Sequence, residues 1–356
     1  MSKVIITTGG TGGHIYPALA VAKEFIARGN EVLFVGSSSR MEKDLVPKEN
    51  IPFIGIDIHP GKSIKNIFSI ISLVFKCMKI IDKENPTDII GFGNYISFPM
   101  ILAGIIKRKN IYLQEQNANL GMTNRLFYRF AKKTFLAFNS TYEDIPIKYQ
   151  DKFKVTGNPL RDEIYHINKT EEREKLKVSP DEKILVITGG SLGAKSINDA
   201  VSKYWDVLET RKNLRIYWAT GTKNYDDILK NLEIKNINNV VKPYFDNLIN
   251  IMAAADLVIC RAGALTISEI IQLEKPSILI PYNSIKVGQY ENALILKEHK
   301  GALVYNNNET QESIEVALDL LDNTNALNRM AHSIKTLKTS NATKSIVDTM
   351  EIWRNN

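Results

Sequence analysis

The chain has 356 residues, too many for one ordinary hydrophobic core, so two domains are the default. Apolar residues make up 44% and charged residues 24%, the balance of a soluble globular protein. The 46 basic and 39 acidic residues leave a net charge of +7, a mild excess that matters only where it is clustered.

Cys77 and Cys260 stand far apart beside apolar residues, which fits two buried thiols; with no CxxC pair, a zinc site is not expected. The N-terminus lacks the long apolar stretch of a signal peptide. In the first half the longest nearly uncharged apolar stretch, 66–75, is far shorter than the roughly 20 residues a bilayer span needs. The expectation is a cytoplasmic chain that touches membrane only at a surface.

Strand and helix signals alternate along the first half. KVIITT opens it, and a helix is predicted from about Pro17 to Ala27, with proline in a permitted first-turn position and Gly29 after the end. Strand signals follow at 31–36, 53–58, 87–93, 110–116, 133–138 and 152–159. The pattern restarts at 182–190 and continues at 214–221, 239–244, 255–263, 276–282 and 302–305; from about Thr310 the chain reads as helix. The predicted fold is α/β, with two Rossmann-like domains facing across a cleft and parallel sheets covered on both faces. The turn-rich GNPLRDE (157–163) marks the break. The predicted boundaries are 1–159 and 160–339, with a C-terminal helix at about 340–356 packing back on the first domain.

Each half opens with the same signal. TTGGTGGH (7–14) and TGGSLGAKS (188–196) both follow apolar strand runs, and their Gly-Gly pairs stand 180 positions apart. Glycines between strand and helix let backbone N–H groups approach an anion at the positive end of the helix dipole. The plain alternative for either loop is a tight strand–helix turn. A dinucleotide site needs G-x-G-x-x-G and an acid ending the second strand. Ile15 stands at the last glycine position, and neither following strand ends in an acid. GGSLGAKS also misses the P-loop spacing, because Ala194 separates Gly193 from Lys195. A third glycine turn, CRAGALTISEI (260–270), would open a helix whose amides suit a diphosphate and whose Glu269 suits a ribose diol. On pattern alone Glu269 equally fits an acid balancing the helix dipole.

Taken in order, GGTGGHIYPALA, GFGNYIS, QEQNANLGMTNR, GNPLR, GGSLGA and CRAGALTISEI resemble the MurG family of peptidoglycan glycosyltransferases, of the two-domain GT-B class. The resemblance runs from Thr8 to about Asn292. It implies inverting transfer of N-acetylglucosamine from UDP-GlcNAc to undecaprenyl-diphosphate-linked muramyl-pentapeptide, lipid I, giving lipid II. It places Thr11, Gly12 and Gly13 in the first loop and Asn117 at the donor sugar. Arg161 and Ser191 fall at the donor diphosphate and Phe245 at the uracil. Ala264, Leu265 and Thr266 form the amide loop, Glu269 the ribose contact and Gln289 a contact to GlcNAc hydroxyls. His14 and Tyr95 fall on the acceptor side.

The implied partners are UDP-GlcNAc, lipid I, the inner face of the cytoplasmic membrane and other cell-wall synthesis proteins, with no nucleic acid. No tightly bound cofactor and no protein-ligated metal are implied; a divalent cation would only assist. Three positions depart from the family. Gln114 stands where relatives often have histidine, Ala262 where many have serine, and Gly288 precedes Gln289 where some have two glutamines.

Inverting displacement needs a base beside the attacking hydroxyl and stabilisation of the departing diphosphate. His14 is the candidate base, since an unperturbed imidazole titrates near 6.5. Glu115 is the runner-up, and the alternative for His14 is an imidazole that caps a helix or binds an anion. His59, His166, His299 and His332 have no chemical company and read as surface or structural. For membrane contact the candidate is 62–83, where lysines punctuate apolar residues. Ile64, Lys65, Ile67, Phe68 and Phe75 are the expected contacts, although most apolar residues there must be core. Two other readings stand beside this one. One is another UDP-sugar enzyme of the same fold, such as a different transferase or a UDP-GlcNAc epimerase. The other is a non-catalytic nucleotide-sugar-binding or membrane scaffold protein.

Overall fold

The computed structural model describes residues 2–57, 64–190, 192–284 and 288–355, with the side chains of 64–68 and 355 outside the description. Ser191 and the side chains of Ile64, Lys65, Ile67 and Phe68, all expected contact residues, therefore lie outside the described residues. The chain divides into two compact units, one formed by Met1–Asp162 with Thr339–Asn356 and the other by Glu163–Lys338.

The first unit holds β1 (Lys3–Thr7), α1 (Gly12–Ala27), β2 (Glu31–Ser37), α2 (Glu42–Lys48), β3 (Phe53–Ile56), α3 (Ile64–Glu84), β4 (Asp88–Gly91) and α4 (Asn94–Ile106). It continues with β5 (Asn110–Glu115), α5 (Met122–Phe127), β6 (Lys133–Leu136), α6 (Asn139–Glu143) and β7 (Phe153–Val155). The second unit holds α7 (Lys169–Lys175), β8 (Lys183–Thr188), α8 (Lys195–Lys203), α9 (Trp205–Glu209), β9 (Leu214–Ala219), α10 (Tyr225–Lys230) and β10 (Val240–Lys242). It goes on through α11 (Leu248–Ala254), β11 (Leu257–Cys260), α12 (Ala264–Leu273), β12 (Ser277–Leu279), α13 (Gln289–Glu298), β13 (Ala302–Val304), α14 (Thr310–Asp322) and α15 (Thr324–Lys335). The last helix, α16 (Ala342–Asn355), belongs to the first unit.

Every described strand pairing is parallel. The first sheet has the order β3-β2-β1-β4-β5-β6-β7 and the second β10-β9-β8-β11-β12-β13. In both, the order reverses beside the first strand of the unit, between β1 and β4 and between β8 and β11. The carboxyl ends of the strands at such a reversal leave a crevice, because successive connections run to opposite sides. The β-branched strand runs are buried on both faces: Val4, Ile5 and Ile6 in one sheet and Ile184 to Ile187 in the other are wholly inaccessible.

Two sequence expectations are refined. First, α1 starts at Gly12 rather than near Pro17, so Pro17 lies inside the helix. A proline there removes one hydrogen bond to the carbonyl four residues back. That residue is Gly13, exposed in the first turn, where water can take the carbonyl. His14 therefore sits on the first helical turn and not in the loop. Second, both cysteines are free and buried, and burial pushes the Cys77 thiol up to about 12.

Helix α16 returns to α1. Its Ile346, Val347 and Met350 join Phe25, Val21 and Ala22 in one core. Arg28 on α1 pairs with Asp348 at 2.6 Å and Glu351 at 3.0 Å. Arg354 reaches the buried Asp88 that begins β4.

Candidate active site

In the first unit the loop after β1 is shaped from below by a carboxylate. Glu42, wholly buried on α2, accepts from Gly10 N at 3.0 Å and from Ser37 N at 2.8 Å. It explains two glycines. A Cβ on Gly9 would lie 1.8 Å from Glu42 Oε1, and one on Gly36 would lie 2.7 Å from Glu42 Cγ and 2.8 Å from the Thr8 carbonyl. Nothing in RMEKDL distinguishes Glu42 from a surface helix acid, so sequence reasoning passed over it.

After the loop, Thr11 stands extended at the N-cap without a side-chain capping bond, and Gly12 and Gly13 open the helix. First-turn amides have no intrahelical acceptor. From this turn the His14 ring reaches the end of β4, where Nδ1 lies 3.0 Å from the Phe92 carbonyl oxygen. A carbonyl can only accept, so Nδ1 carries the proton and the neutral ring keeps its lone pair on Nε2. Tyr95, one residue into α4, is exposed beside this turn's partner strand end. Asn94 ties the two loops, donating to the Gly9 carbonyl while its own carbonyl accepts from Thr123 Oγ1 at 2.7 Å.

The QEQN stretch ends β5 and is buried through Gln116. Each oxygen of Glu115 accepts two hydrogen bonds. Oε1 takes Asn117 N at 3.1 Å and Asn117 Nδ2 at 3.2 Å, and Oε2 takes Gly121 N and Asn124 Nδ2 at 2.8 Å each. The carboxylate is thereby a clamp on the 117–124 loop and orients the Asn117 amide. Gln114, at the departure from the family's histidine, is wholly inaccessible and donates to Asn158 Oδ1 at 3.0 Å. Arg161 also lies in this unit, its guanidinium 5.3 Å over the Tyr16 ring of α1.

In the second unit the loop after β8 is packed backbone to backbone. Gly193 and Gly221 both have positive φ, 77° and 82°, and a Cβ on Gly193 would lie 2.1 Å from the Thr220 carbonyl. A Cβ on Gly189 would lie 2.2 Å from Ala194 N. Here, among the described residues, no buried carboxylate lies against a loop glycine; a cation stands close by instead. Arg261, the residue after β11, donates to the Ile280 carbonyl at 2.8 Å, to Asn307 Oδ1 at 2.6 Å and to Ser196 Oγ at 3.1 Å. Burial holds its guanidinium below the usual arginine value. A cavity of about 540 Å³ opens between them, lined by Gly190, Lys195, Arg261, Tyr282 and Gln289 among others. CRAG was visible in the sequence, but Arg261 was not singled out there.

The third turn opens α12. Gly263 is its extended N-cap, and Ala264, Leu265 and Thr266 are its first three residues. Glu269 is the sixth residue, and the first turn carries no acid, so the dipole-balancing alternative does not describe it. Ala262 is buried, with its carbonyl accepting from Asn292 Nδ2 at 3.3 Å, so a methyl there needs no partner. Gln289 begins α13 behind Gly288, whose φ is 66°. Its Oε1 accepts from Tyr282 N at 2.9 Å, so the amide N–H₂ is the end of the side chain left to donate elsewhere. Phe245 packs edge-on to Tyr217 at 6.0 Å. Away from these turns, His299 bonds the Ile295 carbonyl within its own helix at 2.8 Å. His59 lies outside the described residues.

The apolar surface of the first unit is broader than α3. On α3, Leu73, Val74, Cys77 and Ile81 are core, while Ile71 and Phe75 are exposed, Phe75 by 59%. Met122 (81% exposed), Leu126 and Phe130 follow at four-residue spacing on and after α5, interleaved with exposed Arg125 and Arg129. Both α3 and α5 pack against α4. The short α5 segment has no long apolar run, which is why it escaped notice.

Two domain families match the chain. The glycosyltransferase family 28 N-terminal domain covers residues 4–136, and the family 28 C-terminal domain covers 184–348. The UDP-N-acetylglucosamine--N-acetylmuramyl-(pentapeptide) pyrophosphoryl-undecaprenol N-acetylglucosamine transferase of Fusobacterium nucleatum is 55% identical over 355 residues, 100% of this chain and 99% of the relative. The enzyme of the same name from Halothermothrix orenii is 32% identical over 364 residues, 98% of each. Among solved structures, MurG of Acinetobacter baumannii matches with a TM-score of 0.82 at 28% identity, covering 99% of both chains. With two parallel α/β sheets, both family 28 domains and relatives aligned end to end, the chain belongs to the MurG group of glycosyltransferase family 28 and has its GT-B fold.

Proposed function

We propose that this chain transfers N-acetylglucosamine from UDP-GlcNAc to lipid I with inversion at the sugar carbon, forming lipid II. The observation that carries the reading is the 55% identity, end to end, to a curated transferase of that name. Such relatives agree with this reading and not with another UDP-sugar enzyme or a scaffold. In the second unit, the α12 amides and the loop after β8 bind the donor diphosphate, Glu269 the ribose and Gln289 the GlcNAc hydroxyls. The uracil lies near Phe245. Arg261 adds positive charge as UDP departs. Thr11, Gly12, Gly13 and Asn117 complete the donor contacts from the first unit, together with Arg161.

On the acceptor side His14 Nε2 takes the proton of the attacking 4-hydroxyl, with Tyr95 lining the approach. Glu115, with both oxygens engaged, positions Asn117 and takes no part in proton transfer. No step requires a protein-ligated metal.

The acceptor is anchored in a bilayer, so the exposed Ile71–Phe75 and Met122–Phe130 surfaces, with their basic neighbours, dock on the inner face of the cytoplasmic membrane. Lys65 and the apolar residues 64–68 extend that surface in sequence. Other cell-wall synthesis proteins remain proposed partners.

The test is UDP release from UDP-GlcNAc with and without a short-chain lipid I analogue. Analogue-dependent release with a GlcNAc-extended product is expected. Tight UDP-GlcNAc binding without analogue-dependent release would overturn the reading.

A further inference from the structure

Three of the sequence motifs meet at one carbonyl oxygen, and a fourth joins them through a chain of amides. Phe92 O, at the end of β4, accepts from His14 Nδ1 at 3.0 Å and from Gln116 Nε2 at 3.1 Å, with Thr8 Oγ1 farther off at 3.4 Å. The second hydrogen of the Gln116 amide goes to Gln114 Oε1. Gln114 Nε2 in turn donates to Asn158 Oδ1 at 3.0 Å, and Asn158 Nδ2 donates to the Gln116 carbonyl at 3.1 Å. The three side chains are at most 2% exposed. GNP, QEQN, GFG and GGTGGH are thus joined into one buried chain of amides that ends on the imidazole.

The direction of this chain is chemically fixed. Gln116 faces two acceptors, so its nitrogen must point at them; the flipped amide would set oxygen against oxygen twice. The peptide that follows Phe92 has little other support on its oxygen side. Gly93 has φ 70° and ψ −167°, a region that essentially only glycine populates, and stands outside the strand ladder. Phe92 N is tied back to the Thr7 carbonyl at 3.0 Å, so the amide side of the residue is held by the sheet and the carbonyl side by Gln116. The lone pairs of one carbonyl serve two strong donors. One fixes where the oxygen points, and the other is the ring it orients.

We propose that Gln116 is a positioning residue for sugar transfer: through the Phe92 carbonyl it locks His14 as the Nδ1–H tautomer, keeping the Nε2 lone pair available. Gln114 is the brace behind it, and this assignment rests on the reading of His14 as the base.

The test uses the full chain labelled with ¹⁵N-histidine, the His14 signals being identified by their loss in His14→Gln. In the unmodified protein, neutral His14 is expected to carry its proton on Nδ1; an Nε2–H ring would overturn the proposal without any variant. In Gln116→Met, which is close to isosteric but cannot donate, the Nε2–H tautomer is expected to grow. Acceptor-dependent kcat is expected to fall by roughly tenfold to a hundredfold, the scale of a misplaced catalytic group, with KM for UDP-GlcNAc unchanged. A folded Gln116→Met that retains the Nδ1–H tautomer overturns the proposal. A tautomer that shifts while kcat holds shows the lock but overturns Gln116 as a positioning residue for transfer, and with it the reading of His14 as base.

Discussion

The loops after β1 and β8 carry the same sequence signal and are built with opposite electrostatics. The first has a resident anion. Glu42 lies buried against it, bonded to Gly10 N, and fills the space any side chain at Gly9 would need. The second has none among the described residues. Its glycines are required by backbone packed on backbone, at Gly193 against Thr220 and at Gly221 against Gly193, and a half-buried Arg261 stands beside it. A loop that already holds a carboxylate is a poor place for a second anion at the same amide, whereas one flanked by a cation suits a diphosphate. A glycine signature therefore reports that the backbone comes close to something. The neighbouring side chains decide whether that something is a ligand or the protein itself.

Variants should separate the two loops by the constant they change. The largest effect is expected for His14→Ala. General-base catalysis contributes about 10² to 10⁴-fold, so kcat should fall on that scale while UDP-GlcNAc affinity holds. Steady-state UDP release together with calorimetric UDP-GlcNAc binding checks both halves. Next comes Arg261→Ala, which should act the other way, weakening UDP binding roughly tenfold or more by loss of a charge-assisted contact and of its bonds to Asn307 and Ser196. Calorimetry with UDP alone reads it, and unchanged affinity would remove Arg261 from the donor site.

Glu42→Gln keeps the shape but sets an amide N–H₂ against a backbone N–H. Hydrogen bonds to charged groups are worth about 1.5–3 kcal/mol, so thermal unfolding should occur measurably lower and kcat should fall while donor affinity is retained. The smallest effect is expected for Ile71→Ser with Phe75→Ser. Binding to anionic liposomes should weaken several-fold, by about 1 kcal/mol or more for the apolar area lost, while turnover of a soluble acceptor is spared. Unchanged liposome binding would move the membrane surface elsewhere, Met122, Leu126 and Phe130 being the next residues to change.

The fold was largely legible because most strands are short apolar runs, and central ones such as β1, β4, β8 and β11 are buried on both faces, so they are visible without any partner. The start of α1 was less so. Proline's preference for the first turn suggested residue 17, yet the helix runs back to Gly12, with Pro17 opposite an exposed glycine carbonyl. Motif residues at the carboxyl ends of β1, β4, β8 and β11 could be found by spacing, since a parallel sheet brings its loops to one edge. The residues that give those loops their character could not. Glu42 reads as a surface helix acid, and Gln114 and Gln116 read as an ordinary strand end. Their roles depend on contacts 24 to 44 positions away in the chain for the two glutamines and 32 for Glu42. Likewise the α3 residues sort into core and surface only once α4 is in place.

The central claim is that the first loop supplies the base for proton transfer, with donor contacts secondary there, and that the second holds the donor diphosphate. The most direct test measures His14→Ala for UDP-GlcNAc binding and for acceptor-dependent UDP release in the same preparation. The account predicts parental affinity for UDP-GlcNAc with UDP release reduced by about two orders of magnitude or more. Release near the parental rate, or a loss of donor affinity in step with the loss of rate, would contradict it.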